Sequence, residues 1–442
     1  MSLSALQSIR SKAARQAVPA LARGYATPAP FALHEAANGI KVAAKDEGRP
    51  TASISIVAKA GSRYEPAPGV AHVLKNSVFK ATSKRSEIRL VREVEALGGV
   101  LSTSLSRENL VLTAEFLKGD EAYFAEALGD AIYEAKLPVY EYNEEVVPQV
   151  QAEYEQAIHD SQVYAFDLAH QLAFRKGLGN SLFASPHTAV DHSTAVSFAK
   201  SSFAPSNIAV FGSNIDAGKL TSLVGDFFAP SNAAAASTLS SPASQYYGGE
   251  VRIPATGHHA ELDQLLIAFK GAARTEVEYA VLALLLGGEA SVKWGQGATP
   301  LAKLTTATSS AKAFHLGYSD AGLFGVSVSG KTADVEGVAQ KAVAELKQVA
   351  QGVSTEAVKQ AVAKAKFAAA AALETKVGQV SVVGEQVAAH GQVPSLDAIF
   401  AKLDEVTAES LAKAAKDALA SKPTTVAVGN THALPYADSL GL

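Results

Sequence analysis

The sequence predicts an α+β fold of two homologous domains, each a mixed, largely antiparallel sheet covered by helices, facing each other across a cleft. Three observations predict it. At 442 residues the chain exceeds the roughly 250–300 residues at which a single hydrophobic core stops growing. From Asn38 onward, runs of strand period alternate with runs of helix period. After a stretch without charge or period, Ala229 to Gly248, the same pattern starts again.

The elements of the first half follow in order. Ala52, Ile54, Ile56 and Ala58 alternate as a half-buried strand does. A helical stretch follows around Val70, Val73, Leu74 and Val78. Ser86 is placed to cap a second helix, with Ile88, Val91, Val94 and Leu97 on one face and Gly98-Gly99 as its stop. The run Val100 to Leu105 pairs with Leu110, Leu112, Ala114 and Phe116 through a short turn at Arg107-Glu108. Glu141 to Lys176 reads as one long helix or two joined, and the half closes with a strand at Asn207 to Gly212 and a helix ending near Phe228. In the second half, Leu262 to Gly271 repeats Ala52 to Gly61, Phe314 to Ser329 repeats Leu101 to Leu117, and Thr424 to Gly429 repeats Asn207 to Gly212. The expected organisation is a leader at 1–25, a first domain at 26–228, a linker at 229–248 and a second domain at 249–442.

Composition narrows the chemistry. A hydrophobic share of 48% with 19% charged residues is that of a globular protein and excludes disorder for the bulk of the chain. There is no cysteine and the one methionine is Met1, so no thiolate cluster ligand, disulfide or Met axial ligand is available and no cofactor is expected. The longest uncharged apolar stretch, about Tyr279 to Gly288, is far short of the roughly 18–20 residues of a spanning helix.

The first residues read differently. Arg10, Lys12, Arg15 and Arg23 lie among Ser, Ala and Leu, and no acid precedes Glu35. This is transit-peptide composition; the other reading is a disordered N-terminal tail. Arg23-Gly24-Tyr25 followed by Ala26 resembles a matrix-processing site, which would start the mature chain at Ala26. Without the four basic residues the chain carries 35 basic against 43 acidic, a net charge of −8 instead of −4, which argues against a nucleic-acid partner.

Between the first strand and the first helix stand Ala60-Gly61-Ser62-Arg63-Tyr64-Glu65 and Gly69-Val70-Ala71-His72-Val73-Leu74-Lys75-Asn76. Here the chain resembles the pitrilysin or insulinase-like zinc peptidases, a family that includes the mitochondrial processing peptidase subunits and the two core proteins of ubiquinol-cytochrome c reductase. Active members carry H-x-x-E-H on this helix: the two His bind zinc and the Glu between them is the base for the attacking water. A further Glu ligand comes from a later helix. The resemblance places the first ligand at His72, Lys75 at the base, Asn76 at the second His, and Glu153, 77 residues after Asn76, at the third ligand. A catalytic zinc needs three protein ligands and an open position. Two remain, so no metal and no catalytic residue is expected. Read alone, His72 is a core or surface histidine and Glu153 a solvated helix acid. His187 and His192 are five apart, and His258-His259 are adjacent without a placed acid.

The second half carries the resemblance further. Ala313 to Gly325 is similar to the family's C-terminal strand motif, in which Tyr318 would face a substrate chamber or be an ordinary strand aromatic. The loop Leu286 to Gly297 stands where the substrate-binding processing-peptidase subunit has a glycine-rich run, but Glu289, Lys293 and Trp294 interrupt the glycines. The resemblance, nearest the core-protein branch, implies a non-catalytic scaffold of respiratory complex III, peripheral to the mitochondrial inner membrane on the matrix side. Its partners would be core protein 1 and other subunits, including cytochrome b and cytochrome c-type subunits, with electron transfer belonging to the complex. The alternative is the non-catalytic, substrate-binding subunit of the processing peptidase.

Overall fold

A computed structural model describes residues 31–188, 190–228, 239–254, 262–288, 295 and 297–442. The leader with Arg23, Tyr25 and Ala26, the start of the linker, His258-His259, and Glu289, Lys293 and Trp294 lie outside the described residues.

The alternating runs become two sheets. The first contains β1 (Ala32–Glu35), β2 (Lys41–Lys45), β3 (Thr51–Ala58), β4 (Val100–Leu105), β5 (Leu110–Leu117) and β6 (Ile208–Ser213), in the order β1-β2-β6-β3-β5-β4. The second contains β7 (Gly249–Ile253), β8 (Asp263–Gly271), β9 (Ser309–Gly317), β10 (Gly322–Gly330) and β11 (Thr424–Val428), in the order β7-β11-β8-β10-β9. Apart from β1, the two orders are the same. The parallel pair also recurs, β2 with β6 and β7 with β11, while the other pairings are antiparallel. In place of a counterpart to β1, the C-terminal segment lies against β7: the Arg252 guanidinium donates to the carbonyls of Thr431, Leu434 and Pro435.

The helices of the first half are α1 (Val70–Ser77), α2 (Glu87–Ala96), α3 (Glu121–Tyr133), α4 (Val147–His159), α5 (Ser161–Phe174), α6 (His192–Ser202) and α7 (Ala217–Phe227). In the second half follow α8 (Glu278–Leu286), α9 (Thr332–Gln351), α10 (Thr355–Ala372), α11 (Glu385–His390), α12 (Leu396–Asp404) and α13 (Ala408–Ala420). The long segment from Glu141 to Lys176 is not one helix. It breaks at Asp160, whose carboxylate accepts from the N–H groups of Gln162 and Val163 at 2.9 and 3.0 Å and so caps α5.

On α2 the buried face differs from the expected one. Leu90 and Val94 are buried, whereas Ile88 is 65% and Val91 47% exposed. Steps of three, as in 88-91-94-97, drift around a helix of 3.6 residues per turn, while 90-94-97 keeps to one stripe. Ser86 does cap the helix, accepting from Arg89 N–H at 3.3 Å.

The central strands of each sheet are buried on both faces, and the second face is covered by the other half of the chain. On one side of the first sheet, Ile54, Ile56, Leu110 and Leu112 pack with Leu74, Leu90, Phe124 and Val224 from its own helices. On the opposite side, Ala43, Val57, Ala209 and Phe211 pack with Val380, Val383 and Val387, which come from the second half. The second sheet mirrors this: Leu265, Ile267 and Phe269 face helices of its own half, while Leu266, Ala268, Leu323 and Val426 meet Ala165, Ala169, Ala173 and Phe174 of α5. Alanines spaced by four on α5 give a flat face that lets the helix approach the sheet closely. This exchange of helices makes residues 31–442 one compact unit.

Candidate functional site

The helix α1 starts at Gly69, whose φ of 86° is left-handed. A side chain there would also collide with Ala184, since an added Cβ would stand 2.5 Å from the Ala184 Cβ. Glycine is therefore required twice over, by conformation and by space. Glu65 serves as the cap, its Oε2 accepting from the N–H groups of Gly69 and Ala71 at 3.1 Å each. Burial pushes the Glu65 carboxyl up to about 7, against those backbone hydrogen bonds.

His72, Lys75 and Asn76 lie at i, i+3 and i+4 of α1 and so share a face. That face meets α4 at Glu153. All three side chains converge on one oxygen, Glu153 Oε2: His72 Nε2 at 2.6 Å, Lys75 Nζ at 2.8 Å and Asn76 Nδ2 at 3.2 Å. The tautomer of His72 follows from its other nitrogen. Nδ1 accepts from the Ala184 N–H at 3.0 Å, so the ring proton sits on Nε2 and points at the carboxylate. The edge of Phe183 closes the ring in, with centroids 5.7 Å apart.

The electrostatics are those of a satisfied ion pair. The hydrogen bond from His72, helped by those from Lys75 and Asn76, draws the Glu153 carboxyl down to about 2 against the opposing effect of burial. In the unfolded chain the group has its ordinary value of 4.5. Its contribution is therefore complete above about pH 4.5 and lost as the pH falls through about 2. Urea midpoints measured from about pH 5 down to about pH 2 are expected to fall more steeply for the parent than for Glu153→Gln, which has no carboxyl to titrate. Parallel slopes would show that Glu153 titrates alike in both states.

These residues do not fit a zinc ion. The His72 nitrogen facing Glu153 carries a proton, and the ammonium of Lys75 stands where a dication would have to be. Among the described residues no group of three or more His, Asp or Glu side chains is placed to hold a metal. His187 is exposed, and His192 donates from Nε2 to the Leu137 carbonyl at 2.7 Å. Neither approaches Glu153.

Tyr318 is in the turn between β9 and β10 and not in a strand. Its hydroxyl donates to His170 Nε2 at 2.7 Å. His170 is on α5, and its Nδ1 donates to the Phe166 carbonyl at 2.6 Å. Burial holds this imidazole well below its usual range, and nearby Arg107 acts in the same direction. The hydroxyl that could have faced a chamber is thus committed to a contact between the halves.

Sequence reasoning missed the charged residues around this contact. Arg107 Nη2 meets Asp167 Oδ1 of α5 at 2.8 Å with both side chains buried. Arg63 meets Glu108 at 2.8 Å and Asp320 at 2.7 Å. Arg107 and Glu108 had been visible only as turn residues. A signal was present, because Glu108 and Asp320 occupy the turns of the corresponding hairpins β4–β5 and β9–β10.

Known proteins bear on this geometry. The family model described as insulinase (peptidase family M16) matches residues 41–185, and the one described as peptidase M16 inactive domain matches residues 189–365. The protein named cytochrome b-c1 complex subunit 2, mitochondrial, of Cryptococcus neoformans is 43% identical over 413 residues, 92% of this chain and 94% of that protein. The protein of the same name from Neurospora crassa is 39% identical over 442 residues, 98% and 96% of the two chains. The human protein of that name is 27% identical over 417 residues, 91% and 90%.

Proposed function

Because the chain belongs to the insulinase family of peptidases, M16, we propose that it serves as subunit 2 of the mitochondrial cytochrome b-c1 complex, a non-catalytic member of that family. The observation that carries this is similarity along at least nine-tenths of the chain to proteins that all bear that name, in fungi and mammals. The site agrees with it chemically. A protonated Lys75 bonded to Glu153 can neither bind a cation nor take a proton from water.

In this reading the four converging residues are the remains of a zinc site. His72 and Glu153 keep two ligand positions, Lys75 has replaced the base, and Asn76 has replaced the second imidazole. The chain would contribute to assembly and stability of respiratory complex III, while electrons pass from ubiquinol to cytochrome c through other subunits. We place it on the matrix side of the inner membrane beside core protein 1, with cytochrome b and the cytochrome c-type subunit in the same assembly. No described helix is long and apolar enough to cross a membrane, which suits a peripheral position. We further assign residues 1–25 as an import leader, cut between Tyr25 and Ala26 after the Arg23 signal, and the division between the halves to 229–248.

The test is to purify the tagged mature chain from detergent-solubilised mitochondria and record the haem spectrum. Haem of b and c type is expected to co-purify. A soluble heterodimer with peptidase activity and no haem would instead identify a processing-peptidase subunit.

A further inference from the structure

The turns of the two corresponding hairpins meet. From the first half, Arg63 and Glu108 project beside the β4–β5 turn. From the second, Ser319 and Asp320 form the β9–β10 turn. The Arg63 guanidinium, with its side chain only 5% exposed, makes a two-pronged contact with Asp320, Nη1 to Oδ1 at 2.8 Å and Nη2 to Oδ2 at 2.7 Å. The same Nη1 meets Glu108 Oε1 at 2.8 Å and Ser319 Oγ at 3.0 Å. Glu108 in turn accepts from the Ser319 N–H and hydroxyl. Asp320 accepts from the Ser244 N–H at 2.9 Å and its hydroxyl at 3.1 Å. Residues 257 apart in sequence are thus joined by charge-assisted hydrogen bonds, with Arg63 and Glu108 buried and Ser319 and Asp320 open to solvent.

We propose that this cluster is a latch between the two hairpin turns, which fixes the angle between the sheets and makes the chain a single rigid body for partner subunits to dock on. The charge count gives the latch its direction. One guanidinium holds two carboxylates that belong to opposite halves. While it is present, separating the turns means breaking the two-pronged contact of a buried guanidinium with Asp320. Without it, Glu108 and Asp320 repel each other across the contact and drive the turns apart. Apolar packing of α5 and of the Val380–Val387 segment holds the halves together but is non-directional, and the other polar contacts between the halves, Tyr318 with His170, Ser213 with Gln379 and Lys376 with Glu115, are single-pronged. Two-pronged Arg–carboxylate contacts are directional.

The absence of cysteine allows a clean measurement, because introduced cysteines are the only labelling sites. Glu95 on α2 and Lys341 on α9 are exposed positions in opposite halves. The full mature chain carrying Glu95→Cys and Lys341→Cys is spin-labelled, and the inter-label distance distribution is measured by pulsed electron resonance. One narrow distribution is expected. Adding Arg63→Leu is expected to lengthen the mean distance and broaden the distribution about two-fold or more, the direction in which charge repulsion acts. A control pair within the first half, Glu95→Cys with Lys200→Cys, is expected to stay narrow. If the Arg63→Leu chain does not fold, Asp320→Asn takes its place; it breaks the two-pronged contact without leaving two carboxylates facing each other, so the distribution is expected to broaden less than for Arg63→Leu and the mean to stay where it is. A folded variant whose distances match the parent overturns the latch. Equal broadening of the control pair also overturns it, since that is general loosening and not a hinge.

Discussion

Lys75→Glu combined with Asn76→His is expected to convert the satisfied ion pair into a zinc site. The double substitution removes the ammonium beside Glu153 and adds an imidazole one helical turn after His72, which gives three protein ligands and an open position. Geometry favours the result. Asn76 Nδ2 already reaches within 3.2 Å of Glu153 Oε2, and His72 Nε2 within 2.6 Å. The ligand positions of α1 and α4 are therefore assembled before any metal arrives. Ligation through Nε2 would move the ring proton to Nδ1, so that His72 gives up the hydrogen bond it now accepts from the Ala184 N–H. Zinc affinity, measured in competition with a chelator of known strength, is expected to rise by at least about 100-fold over the parent, the gain of a missing ligand plus the loss of a repelling charge. Lys75→Glu alone is expected to gain little, because the second imidazole is still missing. If the double variant binds zinc no better than the parent, the convergence on Glu153 is an ordinary helix–helix ion pair and not the remains of a metal site.

Arg107→Leu is expected to destabilise the fold by about 3–5 kcal/mol, the cost of leaving a buried acid without its partner. Arg107 holds Asp167 of α5 at 2.8 Å and also donates to the carbonyls of Leu178 and Asn180. Asp167 keeps donors from Gln171, Ser181 and Leu182, but these are neutral and leave its charge uncompensated. The loss is read from urea unfolding at neutral pH. Arg107→Leu together with Asp167→Leu is expected to cost clearly less than the sum of the two single changes. The pair matters beyond its own energy because α5 belongs to the first half and covers the second sheet. A strictly additive pair would show that Arg107 acts through packing alone.

Much of the fold was legible because the core faces of the strands are apolar: the period of two at Leu110 to Phe116 is recorded residue by residue, whereas β3, expected to be half-buried, is buried on both faces from Ala52 to Ala58 because the second half covers its back. The duplication was legible for the same reason: equivalent strands have equivalent patterns, and the strand order repeats with them. The face of α2 was misread because apolar residues lie on more than one side of it, and the pattern does not say which side meets a sheet. In the site, His72, Lys75, Asn76 and Glu153 were chosen by resemblance and spacing, and the fold brings all four within hydrogen-bonding distance.

By itself, the sequence determined the class of fold, the two-copy layout, the absence of thiol chemistry and the placing of a lysine where a peptidase needs a base. These are local properties, set by period, composition and the identity of single residues. Only the tertiary structure decided that each half covers the back of the other's sheet. It also decided that Tyr318 is spent on His170, that Arg63 ties the halves together through Asp320, and that Arg107 holds α5 through Asp167. Those outcomes depend on polar groups brought together from distant parts of the chain, and their pairing is set by which buried groups must find a partner once water is excluded.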